Sequence, residues 1–228
     1  MRKIIVAAFV SLDGVMQSPG GPEEDPRDGF GLGGWIVPLL DEVTGGAVAK
    51  WFEEPYDLLL GRKTYDIFAG HWPFVETDPS SERYSASDAD ISRKFNAVTK
   101  YVATHRPESL SWENTEALGP DPVGRLRQLK QADGPSLLTQ GSSELVHQLL
   151  AHDMVDELRL MIFPVLLGKG RRLFDADSVP ASLQLEQSVT SPNGGIVASY
   201  RRAGAVKTGS FLLASPAPAE QERRRNLK

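Results

Sequence analysis

Twice in this chain a short apolar run enters a glycine-bearing turn and passes straight into a segment of helical period. The first is Leu58-Leu59-Leu60-Gly61-Arg62-Lys63-Thr64, and the second is Leu137-Leu138-Thr139-Gln140-Gly141-Ser142-Ser143. An apolar run without polar alternation reads as a strand buried on both faces, and a helix that follows at once reads as a crossover between parallel strands. Ile4 to Val10, the stretch AVTKYVATHRP ending at Pro107, and DELRLMIFPVLLGKGRRLF supply further strands, with Pro164 marking a bulge or an edge. DPVGRLRQLKQADG predicts a helix, with Asp121 as N-cap, Pro122 at its first position and Val123, Leu126 and Leu129 on one stripe. The alternation implies an α/β fold with a largely parallel sheet.

At 228 residues and 40% hydrophobic content, one domain over residues 1–213 is expected, followed by a disordered polar tail over 214–228. ISRKFN is read as a short helix, LSW as a brief strand, and GGIVASYRRAGAVKTGSF as one long or two paired strands. A helix is expected within PLLDEVTGGAVAKWFEE. Before it, Gln17 to Gly34 form a Gly/Pro-rich loop, long enough to suggest function over an idle insertion. The absence of cysteine excludes disulfides, thiolate nucleophiles and cysteine-held metals, and the four histidines lack metal-ligand spacing. No metal is expected. The net charge of −5 argues against nucleic-acid or membrane partners, although ERRRNLK at the tail is a small local basic run. No segment approaches the ~20 apolar residues of a membrane span, and a cytoplasmic protein is expected.

Three turns fall at the carboxyl ends of expected strands, where ligands of open α/β sheets bind. They are Gly61 to Thr64, Thr104 to Arg106, and Gln140 to Ser143. A helix starting at such a turn presents unpaired N–H groups and the positive end of its dipole to an anion. Arg62, Lys63 and Arg106 add charge there, and His105, Thr64, Ser142 and Ser143 add donors. Alone, each turn reads equally as a solvated turn or a helix cap. GKGRRL is not Gly-x-Gly-x-x-Gly, and no Gly-x-x-x-x-Gly-Lys-Ser/Thr occurs.

In chain order, VAAFVSLDG, LLLGRKTYDIF, VATHRP, LLTQGSSELVHQLL and VDELRLMIFPVLLGKGRRLF resemble the dihydrofolate reductase-like superfamily. Within it they resemble the branch that holds the reductase domain of the bifunctional riboflavin-biosynthesis deaminase-reductase. The resemblance spans roughly residues 2–202. It implies a central, mostly parallel mixed sheet flanked by helices, antiparallel C-terminal strands, and a homodimer. It also implies NADPH as cofactor and hydride transfer to a C=N or C=O of a small heterocyclic substrate, pterin- or pyrimidine-like. An alternative is a non-catalytic NADPH-binding or dimerising module of the same fold. By the same resemblance Gly61, Arg62, Lys63 and Thr64 meet the pyrophosphate and the adenosine 2′-phosphate. Thr104, His105 and Arg106 meet the 2′-phosphate and adenine, Gly141, Ser142, Ser143 and Glu144 meet the pyrophosphate and nicotinamide side, and Ala8 borders the nicotinamide pocket. Asp13, Asp41 and Glu42 are the candidate catalytic carboxylates, each with an ordinary turn-forming or dipole-favouring alternative. Trp35, Trp51, Phe52 and Trp72 are candidates to wall the heterocycle or to fill the core.

Overall fold

Leu58, Leu59 and Leu60 are fully buried, and the architecture of the computed structural model, which describes residues 1–211 and 216–227, accounts for it. Their strand, β2 (Tyr56–Gly61), lies inside one eight-stranded sheet. The others are β1 (Ile4–Ser11), β3 (Lys100–Ala103), β4 (Thr115–Ala117), β5 (Ser136–Gln140), β6 (Glu157–Phe163), β7 (Leu183–Thr190) and β8 (Ile196–Arg202). The order is β4-β3-β2-β5-β1-β6-β8-β7. Every ladder from β4 to β6 is parallel, whereas β8 runs antiparallel to both β6 and β7.

The period of two divides each central strand between two layers. Ile5, Ala7, Leu58 and Leu60 point into an aromatic core with Trp51, Tyr65 and Phe95, which belong to α1 (Glu42–Trp51), α2 (Arg62–Ala69) and α3 (Ala86–Ala97). Ile4 and Leu59 point the other way, against the leucines of α4 (Pro122–Gln131) and α5 (Ser143–Ala151). Each fully buried Leu contributes about 1.5–3 kcal/mol by leaving water, more than a surface ion pair supplies. Among the described residues no helix is long and apolar enough to cross a membrane.

Several expectations shift. LSW is not a strand: β4 lies just beyond it, and Trp112 is buried with its indole N–H donating to Asn96 Oδ1. ISRKFN is the second half of α3, which starts earlier because Ser85 caps it. The partner of β8 is β7, an edge strand exposed along its whole length whose Leu183–Leu185 alternation is broken by a bulge between Leu185 and Gln187. Within the tail expected to be disordered, Pro218–Arg225 form a helix, α6, whose Glu220 pairs with Arg223 and Arg224. Residues 214, 215 and 228 of that tail, and 212 and 213 before it, lie outside the described residues.

Two buried cations hold the sheet's ends. Lys100 sits at the start of β3, donating from Nζ to the Phe95 and Asn96 carbonyls that α3 leaves open; burial pulls its pKa down to about 8. At the amino edge Arg2 pairs with Asp57 of β2 and donates from Nε to the Pro135 carbonyl ahead of β5. Both partners are buried, so removing one strands the other's charge. Arg2→Met is therefore expected to cost about 3–5 kcal/mol in urea unfolding. The double substitution with Asp57→Leu should recover most of that loss; a double variant no more stable than the single would contradict the pairing.

Candidate functional site

A cleft of about 630 Å³ opens across the carboxyl ends of β3, β2, β5 and β1. The three turns anticipated from sequence all line it, and two of them are interlocked. The Gly61 N–H donates to Ser142 Oγ (2.9 Å), and the Ser142 N–H donates to Thr64 Oγ1 (3.0 Å). Thr64 thus joins the second turn and does not cap its own helix. Gly141 takes a positive φ of 66°, and a Cβ there would lie 3.3 Å from Thr64 Oγ1, so the close approach and the backbone both call for glycine. Ser142 itself is left-handed.

The consequence appears at the helix starts. Asp41, Ser85 and Asp121 cap α1, α3 and α4 with side-chain oxygens. The two helices that begin at the interlocked turns, α2 at Gly61 and α5 at Ser142, carry no side-chain cap. Their first-turn N–H groups are left for a ligand, and the helix dipoles favour an anion there.

The cleft's cations are mostly engaged already. Arg62 donates from Nε to Asp66 (2.8 Å) and from Nη1 to Ser109 Oγ (2.6 Å) and the Arg106 carbonyl (3.2 Å), so it braces the turn after β3. Lys63 Nζ and Arg171 Nη1 both reach Glu144 Oε1, at 3.0 and 3.1 Å, and Arg171 also meets Asp28. The Lys63 hydrogen bond holds the Glu144 carboxyl below the usual glutamate range, ahead of the opposing effect of burial. Exposed pairs of this kind are worth about 0–1 kcal/mol, so an incoming anion can displace Glu144 at small cost. The side chains of His105 and Arg106, by contrast, are exposed at the cleft and have no hydrogen-bond or ion-pair partner among the described residues.

Four expected residues fall elsewhere. Ala8 faces the opposite layer with Val6, Val10 and Val146, while its neighbours Ala7 and Phe9 line the cleft, a one-residue offset that the strand's period of two turns into opposite faces. Asp13 accepts hydrogen bonds from Ser11 Oγ (2.6 Å) and the N–H groups of Leu167 (3.1 Å) and Gly168 (2.8 Å), and Arg172 lies beside it. Those bonds, the serine's foremost, lower its pKa to about 2, the reverse of what a proton donor needs. Asp41 is spent on its capping box with Thr44 and on Ser191, which also lowers it to about 2. Glu42 is exposed on α1, away from the cleft. Of the four aromatic candidates, Trp35, Trp51 and Phe52 are buried in the core and Trp72 packs against it, whereas Phe9 and Phe68 form the cleft's aromatic wall. Sequence reasoning missed Phe9, Arg27 and Glu24. The alternation of β1 marks Phe9, and the length of the Gln17 to Gly34 loop was the signal for the other two.

Comparison with known proteins bears on the family and the fold. The RibD C-terminal domain family matches residues 2–197. The uncharacterized proteins YyaP and YwjB of Bacillus subtilis (strain 168) are each 24% identical, over 203 and 188 residues. These alignments cover 87% and 81% of this chain, and 94% and 90% of the relatives. Among solved structures, a riboflavin biosynthesis protein from Shewanella sp. PV-4 superposes with a TM-score of 0.52 at 18% identity, covering 88% of this chain and 99% of that one. A diaminohydroxyphosphoribosylaminopyrimidine deaminase/5-amino-6-(5-phosphoribosylamino)uracil reductase from Thermotoga maritima gives 0.54 at 15% identity, covering 89% of this chain and 57% of that one. At these identities the solved structures establish the fold.

Asp13 makes a pH-dependent contribution to stability that can be measured. Its folded pKa lies below the ordinary aspartate value of 3.8, so its contribution is full above that value and is lost as pH falls toward about 2. Asp13→Asn is expected to lower the thermal midpoint at neutral pH by a few degrees and to flatten the wild-type loss between those two pH values. An unchanged acid profile would show that Asp13 holds nothing.

Proposed function

The chain belongs to the RibD C-terminal domain family, and on that basis we propose that it is an NADPH-dependent reductase acting on a C=N or C=O of a small heterocycle, pyrimidine- or pterin-like. The observation that carries the reading is the contrast in capping among α1 to α5: three close their own N-termini with side chains, while the two that begin side by side in the cleft do not. The reductase named for the Thermotoga maritima relative supports the pyrimidine class.

The residues present fit such a cofactor. The open N–H groups of α2 and α5 suit a pyrophosphate, with Lys63 and Arg171 released from Glu144 to share its charge. His105 and Arg106, unpaired at the β3 end, suit the extra 2′-phosphate that distinguishes NADPH from NADH. At the β1 end Ala7, Phe9, Met16, Ile67 and Phe68 offer an apolar wall for two flat rings. A reduced nicotinamide, when bound, supplies a hydride. The apolar wall excludes water from the reacting atoms, and the rigid interlock of the two turns fixes orientation. The absence of Asp13, Asp41 and Glu42 from the cleft favours a second reading, a module that binds NADPH without turnover.

Arg106→Ala with His105→Ala should weaken NADPH binding by about tenfold or more and leave NADH within about twofold, measured by nicotinamide fluorescence titration. Equal loss for both dinucleotides would count against the assignment of the 2′-phosphate. We propose further that two copies pair through Leu183 and Leu185, exposed apolar residues on one face of β7. Sedimentation should give a dimer for the native chain and a monomer for Leu183→Glu with Leu185→Glu.

A further inference from the structure

We propose that Glu24, on the loop that follows β1, donates the proton that completes the reduction, an assignment that rests on the reductase reading. Four carboxyl groups line the cleft: Glu24, Asp25, Asp66 and Glu144. Three are committed to cations, Asp25 to Arg27, Asp66 to Arg62, and Glu144 to Lys63 and Arg171. Glu24 pairs with no cation among the described residues. Its carboxyl meets only backbone donors, the Gly20 N–H at 2.6 Å and the Gly21 N–H.

The loop holds this carboxyl in place. Ser18 Oγ donates to the Gly21 carbonyl (2.9 Å) and accepts the Asp25 N–H (2.9 Å). Gln17, buried, donates from Nε2 to the carbonyls of Asp25 (3.0 Å) and Arg27 (3.1 Å), and its Oε1 accepts the Arg171 N–H (2.9 Å). Gly33 seals the far side: a Cβ there would fall 2.4 Å from the Gly21 carbonyl oxygen. Glu24 is thereby held in the wall of the same cleft that Phe9, Met16 and Pro19 line. Burial raises its pKa, and the neighbouring Asp25 charge adds to the rise against the opposing bonds from Gly20 and Gly21. Arg27 of its own loop, Arg62, Lys63 and Asp66 of α2, His105 and Arg106 beyond β3, Glu144 of α5 and Arg171 beyond β6 are the other charged or titratable groups lining the cleft.

The chemistry balances. The substrate's C=N or C=O carbon gains a hydride, its π pair moves to the heteroatom, and that atom takes the Glu24 carboxyl proton. The products are the reduced substrate, oxidised cofactor and a Glu24 carboxylate, which solvent reprotonates. Only the protonated carboxyl can donate, so kcat/KM is full below the Glu24 midpoint and falls as pH rises through it.

The test uses the full chain, NADPH, and a panel of 1-pyrroline, 7,8-dihydropterin and a ribosylamino-substituted aminouracil. In Glu24→Gln the rate with any accepted member should fall about 10²-fold or more and lose its alkaline decline, with NADPH affinity within about twofold of wild type. Independently of turnover, carboxyl-carbon NMR of the ligand-free protein should show one glutamate titrating above the ordinary range, absent in Glu24→Gln. Wild-type turnover that Glu24→Gln leaves intact, or a Glu24 midpoint in the ordinary range, overturns the assignment while sparing the reductase reading. A wild-type chain that binds no NADPH, or turns over no panel member, overturns both.

Discussion

Two hydrogen bonds between neighbouring turns, Gly61 N–H to Ser142 Oγ and Ser142 N–H to Thr64 Oγ1, set the terms for the rest of the cleft. They draw together two crossovers that are about eighty residues apart in the chain, and they use up the hydroxyls that would otherwise cap α2 and α5. Backbone donors left open at two helix starts are costly if no partner reaches them. Placed side by side at the carboxyl ends of parallel strands, they suit a doubly charged group on the proposed reading. Gly141 follows from this contact, since its φ is positive and a Cβ there would crowd Thr64 Oγ1.

The local parts of this arrangement are visible in the sequence. Leu58 to Leu60 announce a strand covered on both faces, and Asp121-Pro122 announce a helix start, because burial and capping act within a few residues. The three turns could be placed at strand ends for the same reason. What could not be read is whatever depends on a distant partner. Asp13 has the composition of a pocket carboxylate, yet the N–H groups that claim it belong to Leu167 and Gly168. Asp41 is held by Ser191, again from the far end of the chain. Ala8 shows how little separates a pocket residue from a core residue: one step along β1 reverses the face. β7 escaped notice because a bulge after Leu185 breaks its short apolar alternation, and α6 because its order comes from Glu220 and two arginines, without apolar burial.

On the proposed reading the ion pairs in the cleft are a reserve of charge. Glu144 compensates Lys63 and Arg171, and a stronger anion would displace it. His105 and Arg106 have no such partner among the described residues, so that reading separates charge exchanged on binding from charge simply added. Buried pairs follow a different logic: Arg2 and Asp57 at the opposite edge cannot trade partners without exposing a charge to a medium that does not solvate it.

The segment from Gln17 to Gly34 returns to its own beginning, since the Gly34 N–H donates to the Ser18 carbonyl at 2.9 Å and Gly33 lies against Gly21 and Pro22. Its internal bonds run mostly between its own residues, and Phe30 and Trp35 pin it to the core. A loop closed in this way behaves as a cassette. Its tip can change sequence while the sheet and the two uncapped helix starts stay as they are, so on the proposed reading one scaffold would keep a constant dinucleotide end and acquire new substrates by revising roughly fifteen to twenty residues.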